Sequence, residues 1–108
     1  MERIVIVGYR PFKGKEKELE ELSKTHWKEL YDLGLVTKRL PVLMKAEDGT
    51  ILEIFGWKSK DAMKEAHSND AVLNIWQKYA QVCEYVPIGS LTESQNLFSE
   101  FSPLTYNK

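Results

Sequence analysis

Three polar side chains stand where an apolar residue would be expected, namely His26, Glu53 and His67. His26 occupies the middle of a leucine stripe, one turn from both Leu22 and Leu30, so it points at whatever that stripe packs on. It is either a general base beneath a pocket or a core-edge histidine with one backbone hydrogen bond. Glu53 lies among strand residues that are otherwise apolar, and a buried unpaired carboxylate is expensive. It must therefore meet a cation or a histidine, keep its proton, or sit at a wet barrel mouth. His67 follows Met63 by one helical turn and faces either the same cleft or solvent beside Ser68-Asn69. Together the three could remove a proton from a bound molecule, which makes them the candidate catalytic residues. Phe55, Trp57 and Trp76 would supply flat apolar walls for an aromatic substrate.

Other chemistries are absent from the pattern. The two histidines and the carboxylate have no local ligand spacing, so no metal is expected. Gly8-Tyr9-Arg10 and Phe12-Lys13-Gly14 do not form a phosphate loop. Trp27, Tyr31, Tyr79 and Tyr85 read as packing or interface residues, and Cys83 as a small buried hydrophobe.

The elements that must position these groups can be read from periodicity. Arg3 to Tyr9 is a strand with Ile4 and Ile6 on one face and Val5 and Val7 on the other, so it is covered on both sides. Lys15 to Leu33 is a helix with Leu19, Leu22, His26, Leu30 and Leu33 on one face, a Glu20–Lys24 pair, and Gly34 as its left-handed stop. Thr37 to Ala46 and Thr50 to Trp57 flank the Asp48-Gly49 turn signal. Setting Glu47 opposite Thr50 gathers Leu40, Val42 and Met44 with Ile51, Glu53, Phe55 and Trp57 on one face. Ser59 caps a short helix, Ser68-Asn69-Asp70 breaks and recaps it, and a second segment runs to about Tyr85 with Leu73, Trp76, Ala80 and Cys83 as its stripe. Val86 to Gly89 is a short last strand, and Thr92 to Gln95 fits a capping box opening a final helical turn.

At 108 residues the chain is one domain, over 1–91, with a helical turn and tail over 92–108. With 15 basic and 16 acidic residues it is nearly neutral and has no basic stripe, so no nucleic-acid partner is expected. Its longest early apolar run, Ile4 to Val7, is too short for a leader or a membrane span, so no membrane partner is expected either. One cysteine fits a reducing cytoplasm. The order β-α-β-β-α-β is an α+β, ferredoxin-like arrangement with a four-stranded antiparallel sheet. Helices cover one face of such a sheet, yet both faces here are apolar. A second copy covering the other face, a homodimer, is the simplest remedy.

At this point the chain resembles the antibiotic biosynthesis monooxygenase-like group of the dimeric α/β-barrel superfamily. The carriers are IVIVGYRPFKGKEKELEEL, DGTILEIFGWKS, AHSNDAVLNIW and CEYVPIGSL, in order over residues 1–91. The resemblance implies a homodimeric barrel with a cleft in each subunit between sheet and helices, and oxygenation of an aromatic small molecule without a cofactor. Heme-degrading relatives carry an iron-ligating histidine on the second helix. Trp76 stands at or near that position, and an indole cannot ligate iron. Relatives use Asn and Trp side chains in the cleft. Trp57 and Trp76 are analogous candidates, whereas Asn69 and Asn74 cannot be given that role by spacing. The alternative is a non-catalytic metabolite-binding or interaction module, with Phe98 and Phe101 anchored on a partner or closed over the cleft.

Overall fold

A computed structural model describes residues 1–105, and the last three positions of the 92–108 tail lie outside the described residues. The chain runs β1 (Arg3–Pro11), α1 (Glu16–Asp32), β2 (Val42–Lys45), β3 (Ile51–Trp57), α2 (Lys60–Ala66), α3 (Asp70–Val82) and β4 (Cys83–Val86), then two short 3₁₀ turns and β5 (Ser102–Leu104). It is an α+β fold with one antiparallel sheet in the order β4-β1-β3-β2-β5. The expected four strands are five. The segment after the second turn returns to the open edge of β2, setting Leu104 opposite Leu43 and Ser102 opposite Lys45. A two-sided apolar edge would otherwise present unpaired backbone groups, and Pro103 suits such an outermost strand.

Local chemistry explains where the helices begin and end. Ser59 Oγ accepts from the backbone N–H of Ala62 at 3.0 Å, and the Asn69 side chain accepts from that of Val72 at 3.2 Å. The break and recap between α2 and α3 therefore stand as the spacing predicts. α1 closes in a Schellman motif, with Gly34 at φ +77°, its N–H on Tyr31 O and the Leu35 N–H on Leu30 O. Thr92 makes no side-chain cap; Leu91 is the cap of a 3₁₀ turn over Thr92–Gln95.

The hairpin register differs by one residue from the expectation. Ala46, not Glu47, lies opposite Thr50, through a 2.8 Å bond from the Ala46 N–H to Thr50 O. Gly49 at φ +92° allows a three-residue loop, which moves the pairing by one position. A shift of one turns β2 over. Leu43 and Lys45 stand beside Glu53 and Ile51 on the helix side, while Val42 and Met44 join Leu52 and Ile54 on the other. β4 also starts earlier than predicted. Cys83 to Val86 pair with Pro11 back to Gly8, so α3 stops at Val82, and Ile88–Ser90 is a 3₁₀ turn. The buried residues of α3 are Val72, Tyr79 and Val82. Of the predicted stripe, Leu73 and Ala80 are exposed, Trp76 is half-buried against the core, and Cys83 is buried as the first residue of β4.

The helices cover the face bearing Val5, Val7, Tyr9, Glu53, Phe55 and Trp57. Trp27 and Leu30 of α1, Ala62 and Ala66 of α2 and Val72 of α3 close one half of that core. Leu19, Tyr79 and Val82 close the other half against Tyr9 and Ile51. Each fully buried large side chain contributes about 1.5–3 kcal/mol. The outer face is only partly covered. Leu91, Ile88 and Phe101 fold over Leu52 and Met44. Ile4, Ile6 and Val42 remain 55%, 47% and 49% exposed. No helix among the described residues is long and apolar enough to cross a membrane.

Candidate functional site

Strand alternation puts Val5, Val7 and Tyr9 of β1 beside Phe55, Glu53 and Ile51 of β3, all facing the helices. The leucine stripe of α1 lands on this surface and drives His26 down onto Glu53. His26 is 2% exposed and Glu53 0%. His26 Nδ1 lies 2.8 Å from Glu53 Oε1, and the Tyr9 hydroxyl donates to the same oxygen at 2.7 Å. Of the alternatives open to Glu53, the chain uses a histidine partner, with a phenol as second donor.

The far side of the imidazole is also engaged. Trp76 Nε1 of α3 approaches His26 Nε2 at 3.2 Å. An indole N–H only donates, so Nε2 accepts and the ring proton sits on Nδ1, directed at Glu53. The order Trp76 → His26 → Glu53 ← Tyr9 follows from donor and acceptor counting alone. The rings around it hold the imidazole in place. Tyr79 stands 5.1 Å away at 70° and Phe55 5.9 Å away at 89°, while Tyr79 stacks on Tyr9 at 4.7 Å. Glu53 Oε2 has no hydrogen-bond partner among the described residues. Burial first, and the Glu53 charge second, hold the hydroxyls of Tyr9 and Tyr79 well above the usual tyrosine range, so both stay protonated.

Above this chain lies a cleft of about 350 Å³. Its sheet wall is Val5, Val7, Tyr9, Phe55, Trp57 and Tyr85, and its helix wall is His26, Met63, His67 and Trp76. Among the described residues no Lys, Arg, Asp or Glu lines it. All three predicted wall residues, Phe55, Trp57 and Trp76, therefore face one space, and His26 reaches it from below. Glu53 lies beneath the lining and touches the cleft only through His26 and Tyr9.

His67 stands apart from that pair. It is exposed at the mouth, its Nδ1 donates to Met63 O at 2.9 Å, and its ring meets Trp76 at 5.2 Å. It belongs to the cleft wall rather than to the Glu53 contact. No group of three His, Cys, Asp or Glu side chains converges as metal ligands among the described residues.

Two participants escaped the sequence reading. Tyr9 was legible as the next inward position after Val5 and Val7, two residues along from the strand partner of Glu53. Tyr85, read as a packing or interface residue, lines the cleft because β4 begins at Cys83 and sets it opposite Tyr9; it stays 54% exposed, and partial burial pushes its hydroxyl up to about 12. Comparison with known proteins finds no matching family model, no matching curated protein and no matching solved structure.

Proposed function

We propose that this chain binds a small, flat, uncharged aromatic metabolite in the cleft, and that His26, backed by Glu53, acts on it as a general base. The observation that carries the reading is the 2.8 Å contact between His26 Nδ1 and Glu53 Oε1 beneath an aromatic-walled space. A carboxylate that holds the Nδ1–H tautomer leaves Nε2 facing the substrate. It then stabilises the imidazolium formed when that nitrogen takes a proton. The transfer makes an imidazolium and an oxyanion from two neutral groups, a separation that low-dielectric surroundings oppose and that the adjacent Glu53 carboxylate offsets.

The activity proposed is a cofactor-independent oxygenation like that of the antibiotic biosynthesis monooxygenase-like group, in which the substrate anion itself gives electrons to dioxygen. His67 at the mouth serves as a second titratable group, and Phe55, Trp57 and Trp76 hold the ring. We place the subunit in the ferredoxin-like class and propose a homodimer through the outer sheet face, which would close a barrel over Ile4, Ile6 and Val42. A cytoplasmic setting fits the single Cys83, whose thiol is free and buried.

Oxygen uptake with a panel of hydroxylated aromatics tests the activity. Wild type is expected to consume oxygen with at least one of them, and His26→Phe to lose that uptake by about 10²-fold or more. Unchanged uptake in the variant overturns the base assignment. Thermal stabilisation by the same compounds without oxygen consumption favours the non-catalytic binding module instead.

A further inference from the structure

The contact between Trp76 and His26 says what kind of group the cleft is built to receive. At 3.2 Å it is at the long end of hydrogen-bond range, and it joins side chains of two different helices, both of which line the open cleft. It also pairs one donor with one acceptor. Resting on the function proposed above, we propose that a ligand hydroxyl inserts into this bond, donating to His26 Nε2 and accepting from Trp76 Nε1.

Donor and acceptor inventories exclude the other common groups. An ether, carboxylate or phosphate only accepts. It would satisfy Trp76 but turn a lone pair toward Nε2, which could answer it only by taking a further proton, since moving the ring proton there would strip Glu53 of its Nδ1 donor. An ammonium only donates, which serves His26 but leaves the indole N–H without an acceptor in an apolar wall. An anion meets a further penalty, because no Lys or Arg among the described residues lines the space. Of these groups a hydroxyl alone keeps both His26 and Trp76 satisfied with the imidazole neutral.

The same arrangement gives Trp76 a role after the proton moves. The ligand O–H bond breaks, a bond from hydrogen to His26 Nε2 forms, and the electron pair stays on the oxygen. Nε2 has then become a donor, so the indole N–H cannot return to it and stays on the ligand oxygen. Both donors converge on the same oxyanion. Trp76 thereby changes acceptor from His26 to the ligand oxygen on binding and is a catalytic residue because its N–H already points at that oxygen when charge develops there, when such a donor has most effect.

Three ligands on one ring system test this: 1-naphthol, 1-methoxynaphthalene and 1-naphthoate, titrated calorimetrically into wild type and Trp76→Phe. In wild type the naphthol is expected to bind at least about tenfold tighter than the methyl ether, with naphthoate weakest. In Trp76→Phe, checked for an unchanged circular dichroism spectrum, the naphthol-to-ether ratio should fall to within about twofold. The absorption band of bound naphtholate should weaken in the variant as well. A methyl ether within about twofold of naphthol in wild type overturns the inference, as does a ratio that Trp76→Phe leaves intact. Naphthol preference without oxygen uptake upholds it while removing the oxygenase reading. Failure of all three compounds to bind removes both.

Discussion

The two faces of the sheet are both apolar and have opposite chemistry. The helix-covered face buries a carboxylate, an imidazole and two phenols among aromatic rings. The middle of the outer face is aliphatic, and three of its large side chains are half exposed. Burying polar groups is costly unless each finds a partner. On the inner face Trp76, His26, Glu53 Oε1 and Tyr9 form an unbroken chain, while Glu53 Oε2 and the Tyr79 hydroxyl have no hydrogen-bond partner among the described residues. The charged network of the outer face, Glu2 with Thr37 and Arg39, lies at one end over Gly56, and the aliphatic middle suits a surface for burial against a second copy. On the function proposed above, chemistry belongs to one face and association to the other.

That contrast can be broken by substitution. The largest effect on folding is expected at Glu53. Glu53→Leu leaves the Tyr9 hydroxyl and His26 Nδ1–H buried without an acceptor and should cost about 2–5 kcal/mol in urea unfolding. A loss below about 0.5 kcal/mol would erase the distinction between the faces. On the outer face, Ile6→Asp should leave the subunit folded and weaken self-association by about 1.4 kcal/mol or more, a tenfold change, as read by light scattering across a dilution series. A chain that scatters as a single subunit before the substitution would withdraw the dimer and the barrel together.

A finer effect is alkaline. Tyr9 and Tyr79 hold their protons in the folded state beyond the pH at which an unfolded tyrosine ionises. A raised folded value contributes stability that is complete below about pH 10 and is lost as pH rises further. Above that point each tyrosine should add about 1.4 kcal/mol per pH unit to the decline. Tyr9→Phe should flatten the slope by one such share, at a cost near neutrality of about 1 kcal/mol from the lost bond to Glu53. An unaltered slope would mean that the hydroxyl is not sealed from water.

Much of this was legible beforehand, and the omissions have local causes. β1, α1, the recap at Asn69 and the Gly34 stop follow from periodicity and capping, which are properties of neighbouring residues. The α+β class and the shared wall of Phe55, Trp57 and Trp76 followed from them. The hairpin register did not, because Asp48-Gly49 serves both two- and three-residue loops and only Ala46 bonding to Thr50 decides between them. β4 was hidden because Val82 to Tyr85 satisfies helical spacing as well as alternation, and pairing with β1 breaks the tie. β5 depends on a long-range edge that no local signal marks. For the site, Glu53 and His26 were visible one at a time as polar residues on apolar faces. Their contact, and the approach of Trp76 from another helix, arise only when α1 and α3 are laid side by side.

The order of donors from Trp76 through His26 to Glu53 underlies both the base and the hydroxyl-binding claims, and long-range nitrogen–proton correlation NMR on ¹⁵N-histidine-labelled protein reads it directly. At neutral pH the His26 ring is expected to show a protonated Nδ1 and a bare Nε2, and Glu53→Gln should disturb that pattern while leaving His67 unchanged. A His26 ring carrying its proton on Nε2, or on both nitrogens, would contradict it.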